Sequence, residues 1–489
     1  MSSVPSESAG MHMPVTGRLK IGSDDDLVRL NDAAWAVLER TGFRIYSKRL
    51  LQKVEAIGAR VDYDIMVARF PREVMDEVLG CELRPEPPDE PVRVPDEYRV
   101  SIGEVCFFLY DWEKDERRTA ARQDTIDMIR LGDAIPEVNR ISIPVVNSEI
   151  DQRIEVLEAI GLLIANSNKG GGAGIRCPEQ TKYVVEISQL CEKHGDPRRF
   201  VQMGGCLTTP LTLGERTAQI VEQLLDLGYD TFHFSSMPIA GGNAPVTTAG
   251  CTVMGIAELL GGRLVARSIN PQAKGVGSVI SGSMDMTHGK ASFCSPQAVI
   301  QDILMWRVFK RLYDVSLGVE RKASYINAKV PGLQATYERT FKQMALAAAT
   351  GMLGMHLGSL DGAAILSPEQ AMIDLDLNRG LWEFYRGIQI NDDTLALDEI
   401  DTVGIGAGKT YMDTDHTFAH FREALWMPKL LDVSMWHDGE EADRERQMLK
   451  KANKQWKDYL ANWKQPDVNE DLVAEIHEVV ERAKREIVG

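Results

Sequence analysis

Between residues 141 and 357 short apolar runs alternate with longer stretches of helical periodicity. The runs at 141–146, 170–175, 200–204, 231–235, 277–281, 323–327 and 352–357 have the length of buried parallel strands. Helical patterns follow them at 154–165, 177–194, 214–227, 246–268, 296–313, 334–350 and 368–388. This alternation predicts a parallel α/β sheet, and seven strands fall one short of a TIM-type (β/α)8 barrel. The eighth strand is not legible: 105–110 and a segment after Asn391 are both open. A doubly wound open sheet is the alternative, but no Rossmann fingerprint follows any of the strands.

Upstream the period is helical. Leu27, Leu30, Ala34, Val37 and Leu38 share one face of a helix over 25–42, which Gly42 ends, and further helices are predicted over 49–57 and 71–79. Prolines and acids dominate 84–95, as in an exposed connection. Beyond about residue 400 the chain turns helical and charged, over 415–426, 438–460 and 470–487. The expected organisation is a mainly helical N-terminal region with a short β element (1–135), a βα-barrel catalytic domain (136–400) and a helical C-terminal cap or subunit contact (401–489).

Composition narrows the function by exclusion. The chain has 489 residues, 44% hydrophobic and 26% charged, enough for a large core. Its formal charge of −17 repels phosphates and anionic lipid, so nucleic acid and membrane surfaces are poor partners, while a cationic substrate is compatible. Seven cysteines without a CxxC argue against a disulfide framework and for reduced thiols in the cytoplasm. Residues 1–20 lack the apolar core of a signal peptide, and no stretch approaches the roughly 20 unbroken apolar residues of a membrane span. The apolar segment 253–260 contains Glu258 and reads as a buried helix.

In a βα barrel chemistry sits where strands end. Tyr110 and Trp112 follow the early strand, Asn147 and Glu149 follow Val146, and Arg176 follows Ile175. His233 and Ser235 share one side of their strand by period two, with Phe232 and Phe234 on the other. Asp285, Asn327, Lys329, His356, Ser359 and Asp361 close later strands. Each has an ordinary explanation: a strand histidine is commonly a hydrogen-bonded interior residue, Asp285 can cap a helix, and Tyr110 and Trp112 can be packing aromatics. Their convergence on one mouth is what points to a site. GIGAGKT at 404–410 lacks the first glycine of a phosphate loop, because Val403 stands there. The glycines at 170–174 and 241–242 lack dinucleotide-binding spacing, and no GxSxG elbow occurs. His416 and His420 could share a helix face as zinc ligands do, but no HExxH glutamate or third ligand accompanies them.

Several blocks, in order, resemble the trimethylamine methyltransferase family. These are GGNAPVTTAG at 241–250, AELL at 257–260, Asn270-Pro271, GSMDMTHG at 282–289 and Ser295-Pro296. NAKVPGLQATYE at 327–338, DHTFAHFREALWMP at 415–428 and RRTAARQDT at 117–125 are similar as well. The resemblance implies a βα barrel that binds a methylated amine and presents its methyl group to a separate corrinoid protein. The founding trimethylamine enzymes carry pyrrolysine, whereas residues 327–337 here are all ordinary amino acids. Members without that residue include glycine betaine methyltransferases, and related ones act on proline betaine and carnitine.

Leaving-group chemistry fits that departure. A quaternary ammonium releases a neutral tertiary amine, so no general acid is needed; a free tertiary amine would have to leave as an amide anion. The expected reaction is methyl transfer from a small quaternary amine, glycine betaine first, to Co(I) of a cognate corrinoid protein, giving methyl-Co(III) corrinoid and dimethylglycine. No tightly bound cofactor or metal is expected, and a homo-oligomer is. Aromatic faces for the cation are sought in Tyr110, Trp112, Phe107 and Tyr325, each worth about 0.5–2 kcal/mol. Donors for a carboxylate are sought in Arg176, Lys329, His233 and His356, with Asn327 in the same pocket. Arg321 precedes its strand and should lie at the wrong end. Gln334 and Tyr337 are candidate wall residues, because they stand in the block where the family's special residue is found. The competing readings are a metal-dependent barrel enzyme using Asp285, His288 or the His416/His420 pair, and a non-catalytic binder of betaine or of a corrinoid protein.

Overall fold

Strand pairing begins earlier in the chain than the apolar pattern indicates. In the computed structural model, Val100–Ile102 lies between His356–Leu357 and Val138–Ser142, parallel to both, and Val138–Ser142 pairs in parallel with Gly170–Gly172. Gly204–Cys206 pairs in parallel with His233–Ser235. Parallel bridges then join Ser236 to Val279 and Ser278 to Gly318. The structure describes residues 12–13, 15, 18–86, 92–94, 97–319, 323–405, 408, 410–436 and 442–489. Arg321, residues 438–441 and Gly406, Ala407 and Lys409 of the GIGAGKT stretch therefore lie outside the described residues.

The molecule is thus a mixed α/β protein with several parallel sheets, and among the described residues no closed ring of strands forms. Among the described residues, ladder hydrogen bonds are interrupted between Gly172 and Gly204 and between Gly318 and His356. The stretch 323–327 forms no ladder strand; further along, the carbonyls of Ile326 and Ala328 accept the N–H groups of Gly362 and Asp361 at 2.6 and 2.8 Å. Of residues 105–110, Cys106 makes a parallel bridge to Val145, just beyond Val138–Ser142, and from Phe107 the chain turns away from that strand. Phe108–Asp111 joins Glu116–Thr119, Ile365–Leu366 and Ser359–Leu360 in a four-stranded sheet, and Val100–Ile102 takes the ladder position beside Val138–Ser142.

Helices fall close to their expected bounds because their ends are encoded locally. Ser295 accepts the Ala298 N–H and Pro296 occupies the first turn of Pro296–Tyr313. Thr247 and Ser367 cap Thr248–Ile269 and Pro368–Arg386 in the same way. Gln152–Asn166, Thr181–Lys193, Glu215–Asp226 and Leu333–Thr350 complete the set. The short helices Asp392–Leu395 and Leu397–Val403 escaped the pattern, and so did a long one: Arg122–Ala134 builds its buried face partly from Thr125 and Gly132, which leaves a thin apolar stripe.

The N-terminal helices Asp24–Arg40, Lys48–Ala56 and Arg72–Leu79 alternate with a sheet of Phe43–Ile45, Val67–Arg69 and Arg60–Asp62. Thr212–Leu213 extends that sheet, so the β content here exceeds one short element. These helices share a core with Thr248–Ile269 and Pro296–Tyr313. Thr248–Ile269 is long and apolar enough to cross a membrane, but most of it is buried inside the fold. Of the C-terminal helices, Glu470–Ile487 buries Ile476, Val479 and Val480 in the core around the Val138–Ser142 strand, and Arg444–Ala461 adds Leu449 and Ala452.

Candidate functional site

Alternation sorts the parallel strands into two faces. Ile102 and Ile141 close on Gly132 of the helix behind them, Gly171 on Leu163, Gly205 on Thr217, and Phe234 on Gly262. The opposite face therefore carries Ser101, Arg140, Gly172, Cys206, His233 and Ser235, nearly all polar or small. Arg140, Cys206 and His233 remain exposed although they sit on paired strands, so this face lines a hollow open to solvent.

An acid–imidazole pair sits in that hollow. His356 Nδ1 lies 2.9 Å from Ser101 Oγ and 3.0 Å from Glu104 Oε1. Ser324 Oγ donates to the same carboxylate oxygen at 3.2 Å. Glu104 reaches this place because Gly103 adopts φ +103°, bringing its α-carbon so near the Ser142 carbonyl that an added Cβ would lie 2.4 Å from the oxygen. A buried pair, Arg339 Nε to Asp374 Oδ1 at 2.9 Å, fixes the following turn: Arg339 donates to the Ser359 carbonyl and Asp374 accepts the Gly358 N–H. Tyr325 stands beside the pair. Burial first, then the charges of Glu104 and the nearby thiols, push its hydroxyl pKa well up, and Phe293 meets its ring edge-on at 5.9 Å. The result is a carboxylate and an aromatic face in one half-buried place.

A second cavity of about 370 Å³ lies among Tyr110, Asp115, Arg117, Lys290, Lys329 and Asp361. Tyr110 donates to Asp115 Oδ1 at 2.6 Å, Lys290 pairs with Asp361, and Arg117 covers the Phe108 ring at 4.4 Å. Tyr110 and Lys329 both line this cavity.

The remaining expected site residues are spread more widely. Arg176 is tied to Glu155 at 2.6 Å; Glu155 is fully buried and also accepts the Asn147 N–H. Burial raises the Glu155 pKa and lowers that of Arg176, so desolvation outweighs the attraction within the pair. Asn327 is saturated: its N–H donates to Glu338, its amide nitrogen to Ser292, and its amide oxygen accepts from Phe293. Gln334 is exposed on its helix and donates to Glu338 at 2.8 Å. Tyr337 is 69% exposed and stacks on Phe341, and Phe107 is also exposed. Trp112 packs, half-buried, against the core. Although His233 reaches solvent, the protein packed around its ring desolvates the imidazole and holds its pKa below the ordinary 6.5, which disfavours its charged form.

Asp285 caps no helix. It accepts from Thr287 and His288, at 2.8 and 2.7 Å, in the turn joining Gly282–Asp285 to Lys290–Ser292. His416 and His420 lie ring to ring at 4.5 Å, and both approach Asp393. Among the described residues no group of three or more His, Cys, Asp or Glu side chains is placed to hold a metal. All seven cysteines are free, and burial pushes Cys251 up to about 12 and Cys191 up to about 11.

Sequence reasoning passed over Glu104, Arg140 and Gln202. The run at 170–174 carried a usable signal. A Cβ at Gly172 would stand 2.7 Å from Arg140 Nη2, and one at Gly174 would stand 2.7 Å from Gln202 Oε1. Those glycines leave room for polar neighbours.

Parallel strands backed by helices, with a polar hollow in front of them, are the architecture of α/β enzymes that act on small molecules. A profile of the trimethylamine methyltransferase (MTTB) family matches residues 5–488, and the chain belongs to that family. Trimethylamine methyltransferase MttB of Desulfitobacterium hafniense is 23% identical over 485 residues, covering 95% of this chain and 94% of its own. MttB2 of Methanosarcina mazei is 24% identical, with 96% of each chain covered. A glycine betaine methyltransferase of Desulfitobacterium hafniense is 23% identical over 484 residues, covering 96% of this chain and 98% of its own. Methyltransferase is thus the enzyme class of these relatives.

Proposed function

We propose that this chain takes a methyl group from a quaternary amine, glycine betaine first, and passes it to Co(I) of a separate corrinoid protein, leaving dimethylglycine. The observation that carries the reading is the partly buried carboxylate of Glu104 near Tyr325, in a chain of that family built from ordinary amino acids. A quaternary ammonium has no N–H to donate, so it is held by a nearby carboxylate, aromatic faces and close packing. In the transfer the carbon–nitrogen bond breaks, its electron pair stays on nitrogen, and the new bond to carbon takes two electrons from the cobalt. The amine leaves neutral, and no proton has to be supplied. The corrinoid is a co-substrate carried by its own protein; the task of this chain is to orient the methyl group toward it. The site must not hold the cation too firmly, because that charge disappears on transfer.

The order of strand pairing supports a (β/α)8 barrel as the frame, with Val100–Ile102 as its first strand. A cytoplasmic homo-oligomer completes the proposal. The test is anaerobic incubation of the purified chain with glycine betaine and a reduced corrinoid protein, following methyl-cobalt absorbance. Methylation from betaine is expected; a preference for trimethylamine, or no transfer from any quaternary amine, would overturn the reading.

A further inference from the structure

Methyl transfer at Glu104 gives no task to the cavity of about 370 Å³ between Tyr110 and Lys329. It stands on the same three loops as the acid–imidazole pair: Tyr110, Lys329 and Asp361 follow Glu104, Tyr325 and His356 a few residues further along the chain. The Asp361 N–H donates to the Ala328 carbonyl at 2.8 Å, which holds the loops of Lys329 and Asp361 together. Tyr110 is the cross-strand partner of Arg117, so these two side chains share one face of their hairpin. Two of the cavity's lining residues, Tyr110 and Ile365, belong to a buried cluster with Ile326 and Ala328, which makes part of its wall apolar.

The charges around this cavity do not all cancel in pairs. Lys290 is answered by Asp361, and Glu116 by Lys114 at 4.0 Å. Arg118, next to Arg117 in the chain, is held by Asp124 and Asp111 on the other face of the hairpin. Arg117 itself covers the Phe108 ring at 4.4 Å and meets no carboxylate among the described residues, where Lys329 makes no hydrogen bond or ion pair either. Asp115 receives the neutral Tyr110 hydroxyl at 2.6 Å, and no cation among the described residues answers its charge. Two cations and one anion thus line one small volume. The cations repel each other there, a cost that a bound anion removes.

We propose that this cavity is a second binding site for a small zwitterionic amine, in which Arg117 and Lys329 receive the carboxylate while Asp115 and the Tyr110 ring receive the ammonium end. The inference rests on the quaternary-amine reading and narrows it to amines that carry an acid group. The cations give the carboxylate charge-assisted hydrogen bonds, and the ring and Asp115 suit an ammonium without N–H donors. A cation lacking an acid group meets two like charges for one opposite charge and is rejected. The volume lies at the small end of the range for ligand pockets, which suits a betaine.

Equilibrium dialysis of the purified full chain against labelled glycine betaine and labelled choline counts the molecules bound, without the corrinoid protein. Two betaines and one choline per chain are expected at saturation, the choline and one of the betaines at Glu104. Lys329→Glu, an exposed change, should remove one betaine and leave the choline, and Lys329→Arg should keep both betaines. The isostere 3,3-dimethylbutanoate, with carbon in place of nitrogen, should bind the cavity more weakly than betaine, and Asp115→Asn should erase that difference. A betaine count unchanged by Lys329→Glu overturns the cavity site, and the methyltransferase reading stands if Glu104→Gln lowers the count. Two cholines per chain, or an isostere that binds the cavity as well as betaine, overturn the zwitterion assignment. One betaine lost in Lys329→Glu and kept in Glu104→Gln upholds the cavity and removes Glu104 from the reading. A chain that binds no betaine brings down both.

Discussion

Tyr325 and Arg176 show how much a residue's role depends on what surrounds it. Tyr325 offers a ring that burial and the Glu104 charge keep from ionising. If the ring face holds the ammonium, Tyr325→Phe should keep betaine affinity, while Tyr325→Leu should lose about 0.5–2 kcal/mol, read by calorimetry. Equal losses in the two variants would assign the contribution to the hydroxyl. Arg176 has the right charge for a carboxylate, yet its guanidinium neutralises Glu155, a fully buried acid. Arg176→Gln should therefore cost stability, about 3–5 kcal/mol at neutral pH by urea denaturation. The deficit should shrink toward acidic pH as the stranded Glu155 takes up a proton. A variant as stable as the parent would show that the pair does not hold this corner.

Among the elements, Pro296–Tyr313 illustrates both local and long-range control. Ser295 and Pro296 fix where it starts, a signal carried entirely by adjacent residues. Asp302, on the same helix, is buried behind the strands and accepts the Ser281 N–H at 2.8 Å. Burial pushes its carboxyl up to about 6 from an ordinary 3.8. The folded state thus binds this proton more tightly than the unfolded state does, so its contribution to stability falls as pH rises from about 4 to about 6 and is flat above. The difference in stability between the parent and Asp302→Asn should change by about 3 kcal/mol across that window. A pH-independent difference would place the carboxyl near its ordinary value. Strand Val138–Ser142 shows the opposite limit of legibility: its ladder starts in Val138-Asn139-Arg140, two polar residues that hide a strand from any apolar pattern. Those residues become intelligible once one face of the strand is seen to line a hollow.

At the scale of the whole molecule, residues 388–436 stand out. The helix Asp415–Ala424 buries none of its residues, and Phe418, Met427, Met435 and Trp436 are 74, 58, 76 and 64% exposed. A ten-residue helix is marginal alone in water, and an apolar surface of this extent calls for a cover. With a second copy as that cover, sedimentation velocity at micromolar concentration should give an oligomer, and Phe418→Asp combined with Met427→Asp should dissociate it. A parent chain that sediments as a monomer would remove the homo-oligomer from the proposal.

The sequence by itself determined the βα alternation, most helix bounds and the family, because periodicity, caps and ordered motifs are local properties of the chain. It also brought out Tyr325 as an aromatic candidate and His356 as a residue at a strand end. Only the tertiary structure decided that Arg176 is held by a buried acid, because Glu155 and Arg176 meet only through folding. Likewise the place of Val100–Ile102 between His356–Leu357 and Val138–Ser142 is set by pairing across more than 250 residues in one case, a long-range contact that no local pattern records.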